Sequence, residues 1–205
     1  MYDTLHMFYS FFDNPVPEKN QVLSKLNKTR FTKYSNSTTS HQGKLENLKV
    51  NYNEYSISIK GSLAKYYYGN NFNTLTKQET KDAIEMLSDD LGINISNSSI
   101  SRLDFSTNLN TTYKPTIYYP FLGTLTRFSR LVQPSSIYYN QSSKRLLFYD
   151  KSKWAKQTKN HIPNEFIGEH LLRYELVINK NINRFFKKDK VLLKHLCEDY
   201  IFRTL

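Results

Sequence analysis

Alternation of apolar and polar residues with period two recurs along this sequence, and it commits much of the chain to β-sheet. YSISIKGSLAKYYYG (55–69) begins as a strand, with Ile57 and Ile59 on one face and Ser58 and Lys60 on the other. SISRLDFSTNL (99–109) sets Leu103 and Phe105 against Arg102, Asp104 and Ser106. HLLRYELVINK (170–180) sets Leu172, Tyr174, Leu176 and Ile178 inward against Arg173, Glu175 and Val177. YDTLHMFYSFF (2–12) reads as an aromatic opening strand, and SSIYYNQSSKRLLFYDK (135–151) as a hairpin of two aromatic strands around NQSSK.

One segment is plainly helical. TKQETKDAIEMLSDDLG carries a capping box, Thr76 with Glu79, an apolar stripe at Ala83, Ile84, Leu87 and Leu91, and a stop at Gly92. The tail from Lys187 also has helix-like spacing, at Val191, Leu192, His195, Leu196 and Tyr200. Residues 14–45 mix Pro, Ser, Thr and Lys and read as a long basic loop with a short helix at 18–26. With no internal repeat and no linker, residues 1–205 read as one α+β domain. Several strands interrupted by a couple of helices argue for a mostly antiparallel sheet.

Charge narrows the partner. Lys and Arg number 29 against 18 Asp and Glu, a net charge of +11, which favours a polyanion, and nucleic acid is the usual one. No apolar run is long enough to span a bilayer, and the N-terminus lacks a basic region and a small-residue cleavage site. The expectation is a cytoplasmic protein with no membrane partner. The single Cys197 excludes an internal disulfide and reads as a small buried apolar residue. No Walker loop, GxGxxG or G-x-S-x-G occurs, which removes the ATPase, dinucleotide and serine-hydrolase classes. The five histidines show no HxH or HxxxH spacing.

The polar strand faces carry the residues able to do chemistry: Asp104 in RLD, Tyr149 with Lys151 in FYDK, and Glu175 in RYE. Two carboxylates with water suit Mg²⁺ or Mn²⁺, which prefer hard oxygen ligands and can balance charge on a phosphodiester. At pH 7 roughly one tyrosine in a thousand is phenolate, so a phenol that attacks phosphorus needs a cation nearby, and Lys151 offers one. The same residues have an ordinary reading. Arg102–Asp104 and Arg173–Glu175 are i, i+2 pairs of opposite charge that solvate a sheet. Tyr149 is one of 16 tyrosines, most of which must pack. On spacing alone Tyr149 reads as a packing residue rather than a nucleophile.

Five segments, in order, resemble the replication initiation proteins of filamentous phages, the gene II and gene X group, and related phage and plasmid proteins of Bacteroidetes. They are YDTLHMF, SIKGSLAKYYYGNNFNTLT (58–76), SISRLDFSTN (99–108), RLLFYDK (145–151) and LLRYELVINKNINRFF (171–186). The resemblance implies a rolling-circle replication endonuclease related to the HUH class and to Rep_trans plasmid initiators, with a ferredoxin- or RRM-like palm, a central, mostly antiparallel sheet with helices on one face. In that family a tyrosine attacks one strand at the origin, becomes linked to the 5′ phosphate and frees a 3′ hydroxyl that primes synthesis. The family's tyrosine and the lysine two residues on fall on Tyr149 and Lys151. Its acidic positions fall on Asp104 and Glu175, with Asp3 a further metal-shell candidate, and the metal implied is Mg²⁺ or Mn²⁺.

Lys60 and Lys65 match basic positions that contact phosphates. Arg102, Arg173, Lys153 and Lys156 are the other candidates to contact DNA, the last two in a basic exit, KSKWAK. Implied partners are single-stranded origin DNA, a host helicase and a polymerase. Rejoining needs a second nucleophile or subunit, and Tyr138 and Tyr139 lie across the expected hairpin from Tyr149. The sequence departs from its resemblance in two places. The His-hydrophobic-His signature of the HUH class is absent, and Ser58 stands where coliphage members have an acidic residue before IKAS. A non-catalytic DNA-binding regulator and a conjugative relaxase are the alternatives.

Overall fold

The structure, a computed structural model, describes residues 2–33 and 39–199. Its elements run β1 (Tyr2–Ser10), α1 (Lys19–Ser24), β2 (Asn27–Lys33), β3 (Thr39–Leu45), β4 (Leu48–Asn53), β5 (Ser56–Ser62), α2 (Leu63–Tyr68) and α3 (Lys77–Leu91). After these come β6 (Ser99–Asn110), β7 (Ser129–Gln133), β8 (Ser136–Asn140), β9 (Lys144–Asp150), α4 (Lys151–Gln157), β10 (Leu171–Ile178) and α5 (Ile182–Phe185). Among the described residues, all ten strands join one sheet in the order β2-β3-β4-β5-β1-β6-β10-β9-β8-β7, and every pairing is antiparallel.

This corrects the expected α+β palm with helices on one face: the architecture is a large antiparallel sheet. The difference lies at the edges. β2 is exposed along its whole length, as is β7, so neither has a buried face to imprint alternation on its sequence. Residues 27–33 and 39–45, read as loop, are the hairpin that widens the sheet on one side. β7 extends the expected β8–β9 hairpin on the other. Charged and polar residues on both edge strands oppose pairing with another chain.

The alternating strands fold as their pattern dictates. Leu5, Met7, Val50, Ile57, Ile59 and Leu103 turn into the largest core together with Ala83, Ile84, Leu87 and Leu91 of α3. Thr76 caps α3: its side chain accepts from Glu79 N at 3.2 Å, and Glu79 Oε2 accepts from Thr76 N at 2.8 Å. Gly92, at φ 68°, ends the helix in the left-handed conformation that glycine adopts without strain. A second core gathers Tyr119, Ile137, Tyr139 and Leu172, and a third Phe72, Ala155 and Leu171.

The tail differs from expectation. Residues 187–192 are not helical; Leu192 bridges Ser99, and a 3₁₀ turn forms at Leu193–Cys197. Val191, Leu193 and Leu196 are buried by docking on the core rather than by an amphipathic helix face. Tyr200, the last position of the expected helical stripe, lies outside the described residues.

Candidate active site

Three adjacent central strands and the loop after α2 build the site. Along β6, Arg102, Asp104, Ser106 and Asn108 share a face; β10 brings Arg173 beside Asn108 and Glu175 beside Ser106. β9 then brings Tyr149 beside Arg173. Period-two alternation therefore puts the phenol, the guanidinium and the carboxylates on one side of the sheet. β1 adds Asp3, through a register shift between Tyr2 and Leu5.

Arg173 is the hub and is 1% exposed. Its Nε donates to Glu175 Oε1 at 2.7 Å, Nη2 donates to Asp3 Oδ2 and to Ser106 Oγ, and Nη1 donates to the carbonyl of Asn71 at 2.8 Å. Both carboxylates and every donor arm are matched, as a buried charge requires. Arg173, expected among the DNA-contacting residues, is thus enclosed in the cluster.

The Tyr149 hydroxyl donates to Glu175 Oε1 at 2.8 Å. Burial, and then the neighbouring Glu175 carboxylate, push its pKa above the usual tyrosine range although Arg173 opposes them. The nucleophile candidate is therefore a protonated phenol beside a base, not a pre-formed phenolate.

Lys151 was read on the strand face with Tyr149, but β9 ends at Asp150, whose side chain caps α4, and Lys151 is the first residue of that helix. It is fully buried. Its Nζ donates to Asn71 Oδ1 at 2.7 Å and sits 4.5 Å from the Trp154 ring and 5.0 Å from the Phe72 ring, between aromatic faces that favour its charged form. Burial and the Arg173 charge lower its pKa to about 7.

A cleft of about 470 Å³ opens over these groups, lined among others by Asp3, Arg102, Asp104, Tyr138, Tyr149, Trp154 and Glu175. Asp104 is 4% exposed, and Arg102 grips it in a fork, Nε to Oδ1 at 2.8 Å and Nη2 to Oδ2 at 2.6 Å. Burial raises the pKa of Asp104, with Arg102 opposing.

As paired here, the acidic residues do not fit Mg²⁺ or Mn²⁺. Arg102 takes both oxygens of Asp104, and Arg173 takes one oxygen each of Asp3 and Glu175. Among the described residues no group of three or more His, Cys, Asp or Glu side chains is placed to hold a metal ion.

The other expected residues scatter. Lys60 is exposed on β5, Lys65 is half-buried on α2, and Lys153 and Lys156 are exposed on α4. The two hairpin tyrosines separate cleanly. Tyr139 is 2% exposed, its hydroxyl donating to the carbonyls of Leu122 and Gly123, whereas Tyr138 lines the cleft. Sequence reasoning missed Asn71, which ties Lys151, Arg173 and Asp3 together across up to 102 positions of chain. Nothing local to YYYGNNF signals that role. Trp154 was missed as well, although the single tryptophan inside an aromatic and basic stretch was a usable signal.

A family model described as the N-terminal part of a phage replication-associated protein, the gene II protein, matches residues 1–196. No curated protein matches the chain.

Proposed function

The chain belongs to the phage replication-associated family defined by the N-terminal part of the gene II protein, and on that premise we propose that it nicks and rejoins one strand of origin DNA through Tyr149. The phenol oxygen of Tyr149 forms a bond to phosphorus as its proton passes to Glu175 Oε1. The bond from phosphorus to the 3′ oxygen breaks, and that oxygen leaves with a proton from solvent. The products are a 5′ phosphate esterified to Tyr149 and a free 3′ hydroxyl, which a polymerase extends once a helicase opens the duplex. Rejoining reverses the step, a 3′ hydroxyl displacing the tyrosine.

The observation that carries this reading is the hydrogen bond from Tyr149 to Glu175 in an open cleft. A buried phenol whose pKa is raised cannot ionise first, so a base in contact with it is what the attack requires. Arg173 keeps Glu175 aimed at the phenol, and Arg102 at the cleft supplies a guanidinium to a phosphate oxygen.

The test uses an origin oligonucleotide labelled at its 3′ end, so that the label stays with the tyrosine-bound fragment. The wild-type protein forms a denaturation-resistant adduct, and Tyr149→Phe binds the oligonucleotide without forming one. An adduct of equal yield in Tyr149→Phe removes Tyr149 from the chemistry. Binding without an adduct in the wild type leaves the non-catalytic regulator as the reading.

A further inference from the structure

On β3, β4, β5, β1 and β6, the residues that alternate with the core side chains form an open face. Two rows cross it at right angles to the strands. In the first, the register places Lys44 opposite Lys49, Lys49 opposite Lys60, Lys60 opposite His6, and His6 opposite Arg102. In the second, Gln42 lies opposite Asn51, Asn51 opposite Ser58, Ser58 opposite Phe8, and Phe8 opposite Ser99. Strands about 4.8 Å apart make each row about 19 Å long.

The lysines of the first row are charged without compensation. Among the described residues Lys44, Lys49 and Lys60 form no ion pair, and a groove of about 620 Å³ over them is lined also by Lys28 and Arg30. Like charges directly opposite one another across strands destabilise a sheet, and a polyanion laid along the row relieves that repulsion. Its field is felt within the protein: burial, then Arg102 and Lys60, lower the pKa of His6 to about 4. The second row is neutral and polar around Phe8, a 38% exposed aromatic. Cations along one line and an uncovered ring beside them are what an unpaired strand requires, phosphates on the cations and a base on the ring.

We propose that this face is the track of a single DNA strand, its phosphates along Lys44, Lys49, Lys60 and Arg102 and a base stacked on Phe8. The track ends at Arg102, which also lines the cleft that holds Tyr149. The inference rests on the strand-nicking reading for the direction of the DNA, but not for its binding.

The experiment is anisotropy of a labelled oligothymidylate across a salt series, with adduct formation on the origin oligonucleotide measured in parallel on the wild type. Lys44→Ala/Lys49→Ala/Lys60→Ala makes the log–log salt slope shallower by about 2, at roughly 0.7 per contact. It weakens binding on the order of 100-fold at about 0.1 M salt. The corresponding triple Lys→Arg variant restores the slope, which a loss of folding in the alanine variant would not mimic. Phe8→Ala weakens binding roughly tenfold at unchanged slope. An alanine variant with wild-type slope and affinity overturns the track; if the wild type still forms its adduct, the nicking reading survives alone. A lowered slope together with no adduct sustains the track and overturns nicking. Duplex DNA bound as tightly as the single strand, and weakened equally by Phe8→Ala, also overturns the single-strand assignment.

Discussion

Oε1 of Glu175 accepts from the Tyr149 hydroxyl at 2.8 Å and from Arg173 Nε at 2.7 Å, so one oxygen joins the candidate nucleophile to the buried hub of the site. The phenol and the guanidinium arrive from neighbouring strands, β9 and β10, in direct register. Replacing either partner therefore has separable consequences for chemistry and for stability.

Glu175→Gln keeps the shape and an acceptor oxygen but removes the proton acceptor. The rate of adduct formation in a single turnover falls about 10²- to 10⁴-fold, the usual contribution of a positioned general base. A variant rate equal to wild type means that the proton leaves by another route.

Arg173→Met strands the carboxylates of Asp3 and Glu175, the former 6% exposed. Removing one partner of a buried charged cluster costs about 3–5 kcal/mol, which in a chain of this size lowers Tm by roughly 10 °C. Thermal unfolding followed by circular dichroism reads it directly. A shift within the scatter of surface substitutions shows that the cluster adds little stability.

Lys151 titrates near 7 in the folded protein against an ordinary value near 10.5, so the unfolded chain binds more protons between those values. Burying this amine is therefore most costly below about pH 7, and the cost is relieved as pH rises from there towards 10.5. Lys151→Met accordingly raises Tm relative to wild type more in mildly acidic than in alkaline buffer. A difference independent of pH means that Lys151 keeps one charge state throughout.

Arg102→Gln releases both oxygens of Asp104. Calorimetric titration with Mn²⁺ then shows tighter binding than in the wild type, because the arginine no longer competes for the carboxylate. Identical titrations of the two proteins show that Asp104 takes no part in cation binding.

Much of the interior was legible. Strong alternation at the start of 55–69 and along 99–109 and 170–180 marks strands buried on at least one face, and the Thr76–Glu79 box with Gly92 brackets α3 because cap chemistry is local. β2 and β7 were not legible, since edge strands wet on both faces carry no periodic signal. Arg173 was misread as outward-facing for a related reason. The rule that a charged residue opposite apolar neighbours meets water fails where Asn71, Asp3 and Ser106 close over it. Both faces of β10 are covered, as Leu172 and Arg173 are each buried.

By itself the sequence determined which side chains share a strand face, because alternation is a property of neighbouring residues. It therefore placed Asp104 with Arg102, Arg173 with Glu175, and the phenol of Tyr149 among the polar faces. Only the tertiary structure decided that β6, β10 and β9 lie side by side, and that the Tyr149 proton points at Glu175. It alone showed that Lys151 sits in an aromatic cage behind the cleft and that lysines from three strands align on the open face. Strand order and register are fixed by contacts between segments far apart in the chain, and no local pattern of residues records them.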